Sequence, residues 1–372
     1  MQTKKNMTTV LCLRVAMATV AWAYPVRISA PDQQYAHMSR TSIIPVQLPF
    51  QRPFSVANRA PGPNGSLYVQ VEWQVESGFR SVVLEVHPHG SVVATYDLNK
   101  AGTDTGEISG FTDERFAVDS SGSVYFVKSP LPKEQKKVKT VSLTQLSPSV
   151  YVFRQGGTFD KAVALSKSLE PRQLAITNGG NLVVAGSGVE VGMEGAAHNR
   201  QVLYEFKSNG DFIREIHLVS KEKKEEGTTP ASADPGRLAI LTDLSHLLVD
   251  PSGNMYLIQP SDEPRILRFG ADGELAVERK LPKLAGTMVT EAILDEQGRL
   301  VLQRNSMRKP LEPKLQNPTH VLTILNAQTL DTTLEALVPP DTGEVVGVKG
   351  SDFIFLGRHG PLTLDIITGS LQ

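Results

Sequence analysis

Cysteine is almost missing from this chain: Cys12 is the single copy in 372 residues. It sits between Leu11 and Leu13, away from the end of the leader-like segment where a lipidated cysteine would stand. From residue 24 onward the protein therefore has no disulfide, no thiolate nucleophile and no thiolate metal ligand. Excess charge of either sign is also lacking. Lys and Arg total 38 against 39 Asp and Glu, which removes the basic surplus that nucleic-acid binding needs. No apolar run approaches the roughly 20 residues of a membrane span. There is no Gly-x-Ser-x-Gly elbow, no phosphate-binding glycine loop and no dinucleotide fingerprint, and none of the eight histidines stands in His-x-x-x-His spacing. The common hydrolase, nucleotide-enzyme and zinc-helix classes lose their usual signals.

What the chain does have is a repeated phrase. Its clearest copies are Phe116 to Val127 (FAVDSSGSVYFV) and Leu247 to Ile258 (LLVDPSGNMYLI). Each is an apolar, β-branched run, a polar turn ending in glycine, and a second apolar run. That pattern reads as a hairpin, with glycine taking positive φ and Asp or Asn bonding nearby amides. Six such turns occur, at Pro63-Asn64-Gly65, Asp119 to Gly122, Thr177 to Gly180, Asp250 to Gly253, Asp295 to Gly298 and Lys349-Gly350-Ser351. A second hairpin follows each, at Pro88-His89-Gly90, Gly156-Gly157, Asn209-Gly210, Asp272-Gly273, Ala327-Gln328 and Thr368-Gly369. The fifth of these lacks glycine. Two successive hairpins make a four-stranded antiparallel sheet, the unit of a propeller blade. The expected fold is all-β: a six-bladed β-propeller of four-stranded antiparallel blades over 54–372, closed by an N-terminal strand. On this reading Asp119, Asp250 and Asp295 are turn residues rather than catalytic acids.

The stretch Leu247 to Ile258, continued by Arg265 to Leu275 (RILRFGADGEL), resembles an NHL repeat. The chain is thus similar to six-bladed propellers of the TolB-like superfamily, most clearly in the second, third and fourth units. The resemblance implies a scaffold whose members include enzymes, protein binders and RNA binders, so function must be argued from a site.

Residues 1–23 read as an export signal: Lys4 and Lys5, the apolar stretch Val15 to Trp22, and Ala21-Trp22-Ala23 before Tyr24. The expected location is periplasmic or secreted. Residues 24–53 form an N-terminal segment. Within it, 41–48 (TSIIPVQL) has strand character and is expected to complete the sixth blade, whose last strand has almost no chain after Gly369. Pro45 is tolerable at such an edge.

The long connections, 128–149, 186–200, 219–245 and 304–319, should emerge at one end, where recognition is expected. Lys133, Lys136, Lys137 and Lys139, with Arg308, Lys309 and Lys314, read either as an anion-binding surface or as solvated loop charge. The channel mouth at that end should carry Arg115, Arg172, Arg304 and Arg358, with Trp73 and His198 nearby as further binding candidates. His246, Glu291 and Glu344 come from consecutive units and could together hold a divalent cation, calcium or zinc. The plainer reading is that they pair with Arg172, Arg304 or Arg358 as structural ion pairs. Trp73 is read either as a binding aromatic or as core. The leading expectation is a monomeric, non-catalytic recognition scaffold for a protein, peptide or glycan. The alternative is a metal-dependent propeller enzyme, similar to lactonase-like hydrolases or lyases, working at the channel mouth.

Overall fold

The computed structural model describes residues 35–76, 78–98, 115–128, 147–191, 197–218, 245–284, 286–306, 320–339 and 341–372. It does not describe the side chains of 78–79 and 189–199. The expected signal at 1–23, and most of 128–149, 219–245 and 304–319, lie outside the described residues. The fourth expected connection, 186–200, is instead mostly paired strand, from Gly186↔Val202 to Val191↔Ala197.

Among the described residues twenty-four strands fall in groups. They are β1 (Ala36–Pro45), β2 (Ser55–Pro61), β3 (Leu67–Val75), β4 (Gly78–Val86), β5 (Val92–Tyr96), β6 (Arg115–Val118), β7 (Val124–Lys128), β8 (Ser149–Arg154) and β9 (Thr158–Ala164). Next come β10 (Glu170–Ile176), β11 (Leu182–Val191), β12 (Ala197–Phe206), β13 (Phe212–Glu215), β14 (His246–Val249), β15 (Met255–Ile258), β16 (Arg265–Phe269) and β17 (Leu275–Lys280). The last are β18 (Thr287–Leu294), β19 (Arg299–Ser306), β20 (His320–Asn326), β21 (Thr332–Leu337), β22 (Glu344–Lys349), β23 (Asp352–Gly357) and β24 (Asp365–Leu371).

Four sheets are four-stranded meanders: β2 to β5, β6 to β9, β10 to β13 and β14 to β17. The remaining strands form one eight-stranded sheet, ordered β18-β19-β20-β21-β1-β24-β23-β22. Five sheets are therefore present where six separate ones were expected, and β1 is the physical reason. It pairs antiparallel with β24 from Met38↔Leu371 to Pro45↔Asp365. Through Ala36↔Ala336 and His37↔Leu337 it also pairs, in parallel, with β21. The pairing segment runs 36–45 instead of 41–48. Past its end, Val46 N–H donates to Leu364 O at 2.8 Å, and Gln47 bridges to Ser91 beside β5.

The first strands of the groups form a closed circuit. β2 touches β6, β6 touches β10, β10 touches β14, β14 touches β18, β18 touches β22, and β22 touches β2. The fold is all-β and propeller-like. Its core is divided accordingly, with each apolar cluster shared by two neighbouring groups. One joins Val152, Val163 and Leu165 to Leu174, Leu182 and Val184, and another joins Ile293, Val301 and Leu322 to Val345, Phe353 and Phe355. A fully buried Gln303 adds a polar stitch: Nε2 donates to Gly343 O at 2.8 Å, and Oε1 accepts from Val345 N at 2.5 Å.

Local chemistry explains the hairpins. Asp119 Oδ1 accepts from the amides of Ser121 and Ser123 at 2.9 and 3.0 Å. Asp250 and Asp295 make the same pair of bonds two and four residues on. In the second hairpins, glycine serves a tertiary purpose as well. Gly210 has φ +90°, and a Cβ there would collide with the carbonyl oxygen of Ala164 in the preceding sheet. Gly157 meets Thr95 O and Gly90 meets Pro45 O in the same way. The fifth group has Leu330 at φ 59° instead, in a turn one residue longer, closed by Leu330 N to Asn326 O at 2.8 Å.

Gly210→Ala should therefore destabilise the fold by about 3 kcal/mol, combining left-handed backbone strain with overpacking. Gly156→Ala shares the positive φ but meets nothing within 4 Å, so it should cost only about 1 kcal/mol. Chemical denaturation of the two variants checks the difference; equal losses would mean that the contact between sheets is unimportant.

Candidate functional site: an ion-paired channel

All six first strands border one cavity of about 220 Å³, each supplying residues such as Arg59, Phe116, Leu174, His246, Glu291 and Val345. Four of those strands are bulged near this level: β2 between Val56 and Asn58, β10 between Pro171 and Gln173, β18 between Val289 and Glu291, and β22 between Val345 and Gly347. An extra residue bends a strand and re-aims the side chains beside it. Glu291 follows one of these bulges directly.

Arg59 reaches from β2 to both acids. Its Nε donates to Glu291 Oε1 at 2.6 Å, and a terminal nitrogen pairs with Glu344 Oε2. The Arg59 and Glu291 side chains are each 13% exposed, so these charges are largely removed from water. Burial alone would lower the Arg59 pKa, but Glu291 and Glu344 hold it above the ordinary arginine value. One guanidinium is shared between two carboxylates, Glu291 and the 30% exposed Glu344. Burial pushes the Glu291 pKa up against the opposing pull of Arg59 and Arg115. Burial likewise raises that of Glu344; Arg59 opposes this and Glu291 adds repulsion.

His246 lies on the same cavity. Burial, then repulsion from Arg59 and Arg115, lowers its pKa to about 4, opposed by a hydrogen bond with the Val289 backbone. The ring is neutral near pH 7, and its Nε2 is buried with no hydrogen-bond partner among the described residues.

The structure thus draws His246, Glu291 and Glu344 to one region but puts a guanidinium between the carboxylates, where a divalent cation was expected. Among the described residues no group of three or more His, Cys, Asp or Glu side chains has the arrangement of a metal site. The ion-pair partner also differs from Arg172, Arg304 and Arg358. Arg172 pairs with Glu170 on its own strand at 2.9 Å. Arg304 is not a rim residue: it is 1% exposed, and its guanidinium donates to Asp262 O and Pro282 O at 2.9 and 3.0 Å. Arg358 is exposed and lies 4.8 Å above the Phe54 ring. Arg115 acts on the site by charge, on both His246 and Glu291. Trp73 belongs to the core, 9% exposed and 5.0 Å from Phe50. His198 stands on β12 opposite Glu190, and its side chain lies outside the described residues. The residue that sequence reasoning missed is Arg59, inside a strand of the weakly matching first repeat.

The fold and channel together define a β-propeller-like protein. No protein-family model matches the chain, and no curated protein matches it in sequence. Among solved structures it is similar to a protein of unknown function from Dyadobacter fermentans. That match covers 90% of this chain and 100% of the other, at 11% identity and a TM-score of 0.54. It supports the propeller-like fold and says nothing of activity. Looser similarities are to a protein of unknown function from Bacteroides caccae (8% identity, 78% of this chain and 84% of that one, TM-score 0.42) and to a luciferin-regenerating enzyme (14%, 79% and 82%, TM-score 0.39).

Removing the cation should be costly. Arg59→Ala takes the shared cation away from Glu291, 13% exposed, and Glu344, 30% exposed, and should lose about 3 kcal/mol at neutral pH. Without Arg59 the glutamate pKa values rise further, so the loss should shrink as pH falls and the acids take up protons. A loss independent of pH would refute this charge account.

His246 carries the opposite sign. Its folded pKa lies below the ordinary histidine value, so its contribution to stability is complete above about pH 6.5. That contribution disappears as pH falls towards 4. The difference in unfolding free energy between wild type and His246→Gln should therefore change by about 3 kcal/mol across that window. Parallel pH profiles would show that the ring is not held neutral.

Proposed function

We propose that the chain is an exported, monomeric six-bladed β-propeller of NHL-like, TolB-like character that serves as a non-catalytic recognition scaffold. It binds a protein, peptide or glycan, and not nucleic acid, at the end where the long connections leave the sheets; its location is periplasmic or secreted. In support of six blades, the eight-stranded sheet joins two four-strand groups through β1, whose contact with β21 is only two residues long. The closed circuit of six first strands supports the same count.

The observation that carries the functional reading is Arg59 between Glu291 and Glu344. The two acids best placed for chemistry are committed to a buried cation, leaving neither a free general base nor a two-carboxylate metal seat. The balanced net charge of −1 supports a partner other than nucleic acid. A second reading, a metal-dependent lactonase-like hydrolase or lyase, draws on one observation: His246 and Glu291 border the same cavity. It requires Arg59 to give way to calcium or zinc.

Replacing 129–146 and 307–319 with short Gly-Ser linkers should abolish affinity capture of a partner from an envelope extract while leaving the melting temperature within a few degrees. Undiminished capture would count decisively against the scaffold reading. Elemental analysis of the purified chain separates the second reading: one divalent cation per chain, lost in Glu291→Ala, would favour the enzyme.

A further inference from the structure

A second polar assembly, away from the channel ion pairs, lies at the junction of the first and last groups of strands. It joins the segment leading into β2, the end of β3 and the connection after β23. Phe50 packs at a tilt 5.0 Å from Trp73 and edge-on 5.8 Å from Phe54. Three guanidiniums lie over this aromatic row: Arg52 and Arg80 at 5.7 and 5.8 Å from the Trp73 ring, and Arg358 at 4.8 Å from Phe54. The last contact is braced by Phe54 N–H donating to Pro361 O at 3.4 Å.

The cations are unequally compensated. Arg80 is paired with Asp97 at 2.5 Å. Among the described residues Arg358 donates only to neutral carbonyls, Gly360 O and Pro361 O, at 2.9 and 3.2 Å. Arg52, exposed, meets no carboxylate among the described residues. A guanidinium lying on a ring keeps its N–H edge for a planar, two-point hold on a carboxylate, and it is less strongly hydrated than an ammonium. Apolar surface accompanies the charge. Leu362 is 50% exposed in the same connection as Arg358, and Val75 lines an open depression with Arg52, Gln74 and Glu76.

We propose that this Arg52–Arg358 surface binds an acidic peptide segment carrying an apolar side chain. The proposal rests on the scaffold reading and narrows its partner. Carboxylates of the segment pair with Arg52 and Arg358, and its apolar residue covers Leu362 or Val75. An acidic glycan would satisfy the arginines but brings no large apolar side chain, so it would leave that surface in water. Glu76 beside Arg52 limits how many acidic groups fit and favours a mixed sequence over a polyanion.

Fluorescence anisotropy on the full chain, with a labelled peptide of alternating Glu and Leu, tests this. Binding is expected to weaken steeply as salt rises and to drop at least about tenfold in Arg52→Ala/Arg358→Gln. Both side chains are exposed, so the loss of their ring contacts should lower the melting temperature of this variant by no more than about a few degrees. The matching Lys/Leu peptide and oligogalacturonate should bind far more weakly. Unchanged peptide affinity in the double variant, or preference for oligogalacturonate, overturns the proposal. If the double variant still captures the partner that the 129–146 and 307–319 replacement loses, this surface is wrong and the scaffold reading stands. If neither alteration affects capture, both fail.

Discussion

The pairing of β1 with β24 is the contact on which the architecture depends. It joins Met38–Pro45 to Asp365–Leu371, bringing segments near the two ends of the described chain into one sheet. A ring of sheets is stable only when each lateral face meets a neighbour, because every apolar cluster here is shared by two groups of strands. Without β1, β24 would expose an unpaired edge. The last group would also lose Met38, which packs with Phe353, Phe355 and Ile367. The short parallel contact of β1 with β21 then explains why five sheets are present and not six.

Closing the circuit creates the channel, and with it an electrostatic problem. First strands arranged around one cavity direct polar side chains away from bulk solvent. Arg59, Glu291 and Glu344 answer this by pairing across strands that are not all neighbours, and His246 answers it by remaining neutral. Such a cluster is a weak source of net stability, since each ion gives up hydration to enter it. It does make the channel wall specific, because any rearrangement leaves a charge without a partner. The aromatic–arginine assembly at the outer junction is a different case. There the charges remain near solvent, and the rings beneath them supply rigidity.

Legibility from sequence followed distance along the chain. The hairpins could be read because their causes lie within a few residues: Asp119 bonds Ser121 and Ser123, and Gly122 supplies the positive φ. The closing strand could be anticipated because a sheet short of its last strand demands one, though its bounds shifted to include Ala36–Arg40. Arg59 could not be anticipated. Glu291 lies 232 residues away, and no local pattern marks a mid-strand arginine as a channel residue. Arg304 was misplaced for a related reason: strand position suggested a rim, but carbonyls of Asp262 and Pro282 from another group enclose it. Trp73 is core because Phe50, 23 residues before it, packs 5.0 Å from its ring.

Sequence alone determined the all-β character and the hairpins with their turn residues up to the sixth group, because those depend on alternation, φ preference and hydrogen bonds made within a turn. Thr368-Gly369 reads locally as a turn but lies inside β24, where Gly369 pairs with Arg40 and Phe353. Tertiary structure alone decided how the sheets join, which arginine sits between the acids, and which aromatics are core. These outcomes belong to side chains that come within bonding distance only after the ring has closed, and their energies are set by burial that no single strand possesses.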